Sequence, residues 1–174
     1  RFFFMLEGHG REQLSEDMTL DRSIGWFTSI YPVVIDFEGT SDLFSEVLRV
    51  KDTLSRIPKK GVGFGILNYC SSKSTAITDV NNLPNISFNY LGQWTEQDDQ
   101  AIFRFSDEEI IENYDPNNKR VYSIDINTQI YRDIFQFSIS FDPTLNVHNE
   151  IIKFKNDFFK RLKDIINQSQ VMEN

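Results

Sequence analysis

Two stretches of alternating polarity near the C-terminus limit the folds open to this chain. In Ile134–Phe141, the residues Ile134, Gln136, Ser138 and Ser140 alternate with Phe135, Phe137, Ile139 and Phe141. In Val121–Thr128, Val121, Ser123 and Asp125 alternate with Tyr122, Ile124 and Ile126. A side-chain period of two belongs to a half-buried strand. Two such stretches so close together predict an antiparallel pair, each apolar face on the core, with Asp142-Pro143 stopping the second. The period then changes. Ile151, Ile152, Phe154, Lys155, Phe158, Phe159, Leu162, Ile165 and Ile166 fall on one largely apolar helix face. Strands with one apolar face and an amphipathic helix to cover them make an α/β, that is α+β layered, domain.

The rest of the chain supplies further elements. Phe2-Phe3-Phe4-Met5-Leu6 is long enough for a buried strand and too short for a membrane span. Residues 13–20 are polar and loop-like. Ile24–Phe37 is β-branched and aromatic, with Pro32 in its middle. Pro32 removes a backbone donor, which predicts an irregular or edge portion before a strand at Val33–Phe37. Thr40 or Ser41 suits a helix N-cap. Leu43, Phe44, Val47, Leu48, Leu54 and Ile57 then form a helical stripe interrupted by Lys51, and Pro58 closes it. Ile66–Cys70 continues as a strand or a short helix. Residues 71–85 read as a surface loop. Ile86–Leu91 alternates as a strand that Gly92-Gln93-Trp94 ends, Thr95–Gln100 is a polar loop, and Ala101–Phe105 makes a short strand. Ser106–Lys119 is mostly polar, with a turn at Asp115-Pro116-Asn117-Asn118. The domain is expected over residues 1–168, with a frayed polar tail at 169–174.

Composition narrows the function classes. With 26 acidic and 18 basic residues the net charge is −8, a poor match to a nucleic-acid binder. Cys70 has no second cysteine to pair with, which points to a reducing, cytoplasmic setting. No stretch is long enough to span a bilayer, so no membrane partner is expected. The start at Arg1, inside an apolar run, suggests a cut through a larger protein.

The chemistry concentrates at Glu7-Gly8-His9-Gly10-Arg11-Glu12. A strand that ends in a carboxylate, two glycines and an imidazole can deliver polar groups to a cleft. The glycines allow the sharp turn. A carboxylate at the mouth of an apolar strand is partly desolvated, which raises its pKa toward the range useful for proton transfer. His9 has only the remote His148 as a second imidazole, so no metal site is expected; His9 instead holds the turn by hydrogen bonds. Arg11 and Glu12 pair with each other or with neighbours. Gly25-Trp26-Phe27 either lines a pocket or packs in the core. Arg22, charged beside an apolar segment, calls for a fixed partner. Gly61, Gly63 and Gly65 at alternate positions suggest close backbone approach or a bend. Their spacing after a helix fits neither a dinucleotide fingerprint nor a phosphate loop.

Four stretches carry a resemblance in the same order. Glu7–Glu12 resembles the EGHGRE motif of epimerization domains of nonribosomal peptide synthetases. Asp21–Pro32, Pro58–Gly65 and Ser87–Gln93 resemble further motifs of that family. Departures are mild: Ser23 and Ile24 where Thr and Val are usual, Phe64 where Tyr is usual, and Trp94 where Phe is usual. The resemblance covers the C-terminal half of the family's domain. The HHxxxDG motif of the N-terminal half is absent from this sequence.

The resemblance implies a chloramphenicol acetyltransferase-like lobe, a mixed sheet packed with helices. It implies inversion at the Cα of an aminoacyl or peptidyl thioester by proton removal and return. Glu7 would be one acid/base group and the second histidine of the absent motif the other. Asn89 and Tyr90 would act near the site, Asn89 toward the thioester oxygen and Tyr90 on the proton relay. In a regular strand these two point to opposite faces, so one of them is structural or the strand is bulged. His9, Arg22 and Trp26 would bind substrate or support the site. No cofactor is expected on the chain itself; the substrate would ride on the phosphopantetheine arm of a peptidyl carrier protein. Further partners implied are the N-terminal lobe and a downstream synthetase met through the C-terminal tail. The basic residues of the last helix, Lys153 to Lys163, either meet an acidic carrier or form a solvated face. Two other readings stand beside this one: a condensation-type domain that forms peptide bonds, and a non-catalytic carrier-docking lobe. With half of the acid/base pair absent, the fragment alone is expected to be inactive.

Overall fold

A computed structural model describes residues 1–20, 22–37, 39, 42–70, 82–94, 115 and 118–172. The described strands are β1 (Phe2–Gly8), β2 (Ser29–Ile35), β3 (Ile86–Trp94), β4 (Ile124–Tyr131) and β5 (Ile134–Phe141). They form one mixed sheet in the order β2-β1-β3-β4-β5. β1 runs antiparallel to β2 and parallel to β3; β4 runs parallel to β3 and antiparallel to β5. The helices are α1 (Leu43–Ser55), the single turn α2 (Val62–Gly65) and the long α3 (His148–Met172).

Alternation sorts the side chains onto two faces. One face is apolar and carries the helices. Phe4, Tyr31, Val33 and Ile35 form its buried cluster, against which Val50 and Leu54 of α1 pack, with Phe64 of α2 and Phe88 of β3. At the other end of the sheet, Phe137 stacks on Phe158 of α3 with ring centroids 4.4 Å apart, and Phe135 stacks on the same ring at 6.1 Å. The opposite face carries no helix among the described residues and is polar in its middle.

The expected pairing of β4 with β5 is present, joined by a two-residue turn in which Arg132 and Asp133 both take positive φ. β4 starts later than the alternation suggests, at Ile124, so Val121 to Ser123 precede the ladder. β2 is an edge strand, which accommodates Pro32; it begins at Ser29 and ends before Asp36. Asp42 caps α1 rather than Thr40 or Ser41: its Oδ1 accepts from Phe44 N at 2.9 Å and Ser45 N at 3.1 Å. Ile66–Cys70 is a π-helical turn. β3 does not end at Gly92. Gly92, at φ +88°, lets the strand shift register between Tyr90 and Gln93 and continue to Trp94. α3 extends past residue 168 to Met172, and residues 173–174 of the expected polar tail lie outside the described residues. The loops of 71–81 and 95–100 and the strand expected at 101–105 lie outside the described residues.

Of the alternate glycines, Gly61 alone meets the expectation of close approach. At φ +81° it follows Lys59 and Lys60, also at positive φ, and a Cβ there would sit 2.0 Å from the Tyr31 ring. Gly63 and Gly65 face open space.

Candidate active-site cleft

The polar face of the sheet is laid out by strand register. Met5 of β1 pairs with Ser87 of β3, Ser87 with Asp125 of β4, and Asp125 with Ser140 of β5. Two residues further on, Glu7 lies one position past the Leu6–Phe88 pair, which sets it beside Asn89, and Asn89 pairs with Asn127. These side chains, with Arg120 and Tyr122 from the segment before β4, line an open cleft of about 610 Å³. Its floor is therefore two polar rows crossing adjacent strands.

The first row is closed on itself. Ser87 Oγ donates to Asp125 Oδ1 at 2.6 Å, and Arg120 Nη2 donates to Asp125 Oδ2 at 2.6 Å and to Ser140 Oγ at 2.9 Å. The second row is open. Glu7 is half-buried and, among the described residues, has no ion-pair partner. Burial raises its pKa above the ordinary carboxylate value. The amide of Asn89 has no hydrogen-bond partner among the described residues, while its backbone carbonyl accepts from Oγ1 of the buried Thr128 at 3.3 Å. Tyr122 also titrates above its ordinary value, through burial first and then through Asp125, Glu7 and Tyr69.

The turn after Glu7 is held as the glycines require. Gly10 has φ +67°, and a Cβ on it would overlap the Phe27 carbonyl oxygen at 1.5 Å. His9 Nδ1 accepts from Arg11 N at 3.0 Å, and His9 Nε2 lies 3.1 Å from Glu12 Oε1, so both ring nitrogens are engaged in the turn. Glu12 also meets Lys60 Nζ at 3.2 Å. Arg11 donates to the carbonyls of Leu20, Ser23 and Gly25 and lies over the Phe27 ring. Arg11 and Glu12 thus pair with neighbours rather than with each other. Among the described residues no three His, Cys, Asp or Glu side chains converge as a metal site would require.

The structure gathers Glu7 and Asn89 and leaves other sequence candidates outside. Tyr90 points to the helix-bearing side with Phe88, is 50% exposed, and does not line the cleft. Trp26 is 88% exposed and does not line this cleft. Arg22 is exposed and has no hydrogen bond or ion pair among the described residues, contrary to the expected fixed partner. His9 supports the turn and does not line the cleft. Sequence reasoning missed Arg120, Tyr122, Asp125 and Asn127. Asp125 was legible as a polar position of an alternating strand. Tyr122 was misassigned to the apolar face, because the alternation that put it with Ile124 and Ile126 stops where the strand begins.

Comparison with known proteins places the chain in a family. The family profile of the condensation domain matches residues 1–174. Tyrocidine synthase 2 of Brevibacillus parabrevis is 36% identical over 169 residues, 97% of this chain and 5% of that protein. Surfactin synthase subunit 1 of Bacillus subtilis (strain 168) is 34% identical over 158 residues, 89% of this chain and 4% of that protein. The crystal structure of the epimerization domain from the third module of tyrocidine synthetase B superposes with a TM-score of 0.82 at 35% identity, covering 95% of this chain and 37% of that one. The chain spans only a small part of the curated relatives it matches. No helix among the described residues is long and apolar enough to cross a membrane. The profile match over the whole length and the shared mixed-sheet architecture establish that this chain belongs to the condensation-domain family of nonribosomal peptide synthetases.

Proposed function

We propose that this chain is the C-terminal lobe of an epimerization domain, inverting the Cα of an aminoacyl or peptidyl thioester carried on a phosphopantetheine arm. The observation that carries the reading is Glu7: a half-buried carboxylate at the end of β1, without a cation partner among the described residues, beside the amide of Asn89. Burial raises its pKa, which suits a group that must take and return a proton near neutral pH. In one direction Glu7 accepts the Cα proton and the C–H electron pair moves onto the thioester carbonyl, giving an enolate. The opposing acid, a histidine of the N-terminal lobe, returns a proton on the other face. The amide of Asn89 donates to the developing oxyanion. The partners of this reading are the N-terminal lobe, a peptidyl carrier protein and a downstream synthetase, in the cytoplasm. The likeness to a solved epimerization domain supports it.

A second reading, peptide-bond formation, is favoured by the family profile itself, which is that of the condensation domain. Deuterium wash-in at Cα separates the two. The complete domain, rebuilt with its upstream half, is given a carrier-bound aminoacyl thioester. Exchange with L/D scrambling that falls by roughly 10²–10⁴-fold in Glu7→Gln supports epimerization with Glu7 in the proton transfer. No exchange, with peptide-bond formation when a second loaded carrier is added, moves the assignment to condensation. Neither activity with carrier binding retained indicates a docking lobe.

A further inference from the structure

The cleft holds a phenol, and it is not the one the motif resemblance points to. Tyr90, in the motif, lies on the far side of the sheet from Glu7. Tyr122, outside any motif, lines the same cleft as Glu7, Asn89 and Asp125. Its backbone carbonyl accepts from Arg120 Nε at 3.3 Å, and Arg120 is itself fixed on Asp125 and Ser140, so the residue is anchored at its main chain. Its hydroxyl makes no hydrogen bond among the described residues, although the side chain is half-buried. A half-buried phenol without a partner, facing a polar cleft, has a hydrogen bond to give to whatever enters.

We propose that Tyr122 is a further catalytic residue of this cleft, a neutral phenol that donates a hydrogen bond to the thioester oxygen as the enolate forms. This inference rests on the epimerization reading. No proton is transferred by Tyr122: the Cα proton goes to Glu7, the negative charge collects on the thioester oxygen, and the phenol O–H remains intact while its hydrogen bond shortens. The charged and titratable groups facing the phenol are Glu7 from β1, Asp125 from β4, Lys119 and Arg120 from the segment before β4, and Tyr69 from the π-helical turn. Burial first, and then the carboxylates beside it, disfavour the phenolate and so keep the donor protonated. Asn89 and Tyr122 would then approach the oxyanion from β3 and from the segment that leads into β4.

The test uses the complete domain with its upstream half and a carrier-bound aminoacyl thioester, reading Cα deuterium wash-in for the parent, Tyr122→Phe and a variant with 2,3-difluorotyrosine at position 122. Tyr122→Phe is expected to lower kcat by about 10²-fold with KM unchanged, the loss typical of one oxyanion donor. The difluoro variant, with its more acidic phenol, is expected to keep activity at neutral pH and to lose it at lower pH than the parent on the alkaline limb. A merely structural tyrosine would not move that limb. If Tyr122→Phe keeps kcat within about twofold of an active parent, below what one donor contributes, the role of Tyr122 is overturned while the epimerization reading stands. An unmoved alkaline limb in the difluoro variant overturns it as well. A parent that exchanges no Cα hydrogen overturns both together.

Discussion

Glu7 and Asp125 share one cleft in opposite electrostatic states. Asp125 is held by Arg120 at 2.6 Å and by Ser87 at 2.6 Å, whereas Glu7 has no cation partner among the described residues. Two carboxylates separated in this way have separated tasks: the paired one anchors the cleft wall, and the unpaired one is available to a proton. Removing Arg120 takes away the ion pair of Asp125 and leaves its charge, like that of Glu7, without a directly bonded cation in the cleft. Arg120→Met is therefore expected to raise the pKa of Glu7 further and to shift the acid limb of Cα exchange to higher pH. A pH–rate profile of the complete domain checks this; an unshifted limb would mean that Arg120 does not act on Glu7.

The raised pKa of Glu7 also has a stability consequence. A carboxyl whose folded-state pKa lies above its unfolded value binds its proton more tightly when folded. Its contribution to stability is fully present below the unfolded pKa and is lost as pH rises through the folded one. Glu7→Gln removes the desolvated charge. The variant is expected to melt at or above the parent temperature at pH 7.5, with the advantage vanishing below about pH 4, where Glu7 is protonated in both states. Paired thermal melts across that range measure it.

Gly61 and Gly63, two residues apart in sequence, behave oppositely in space. Gly61→Ala would force a Cβ to 2.0 Å from the Tyr31 ring at φ +81° and is expected to cost about 3 kcal/mol or more. Gly63, inside α2 with open space around it, is expected to accept Ala and gain roughly 0.5–1 kcal/mol. Urea unfolding of both variants gives the comparison.

Phe137 anchors α3. Its ring stacks on Phe158 at 4.4 Å and meets Phe159 edge-on at 5.7 Å and Phe154 at 6.4 Å. Phe137→Ala removes the shared surface of three aromatic contacts and is expected to cost about 3–5 kcal/mol. Hydrogen exchange should show faster opening in α3 than in β1, since β1 is packed by α1 instead.

Trp26 contributes little to the stability of this chain. With 88% of its surface exposed, Trp26→Ser is expected to change the unfolding free energy by no more than about 0.5 kcal/mol. Denaturant unfolding of the 174-residue chain checks this, and a larger loss would show that Trp26 is packed.

The sequence alone determined the kind of the longer, regularly patterned elements and, within them, which side is apolar. β5 was legible to its ends, Ile134 and Phe141, and α3 was legible over its apolar face, because periods of two and of 3.6 are properties of neighbouring residues. The Glu7 turn was legible because its glycines and its polar residues are local. Tertiary structure alone decided which polar positions meet. The parallel pairing of β1 with β3 brings Asn89 beside Glu7, and the pairing of β3 with β4 brings Asp125 onto Ser87, joining residues 38 apart in sequence. Nothing in the local alternation encodes that lateral order. The same holds for the two tyrosines. Tyr90 sits in a motif yet lies on the helix-bearing side, because strand alternation sends it opposite to Asn89. Tyr122 faces the cleft because β4 begins only at Ile124, and where a ladder starts depends on the partner strand, not on the residues of the strand itself.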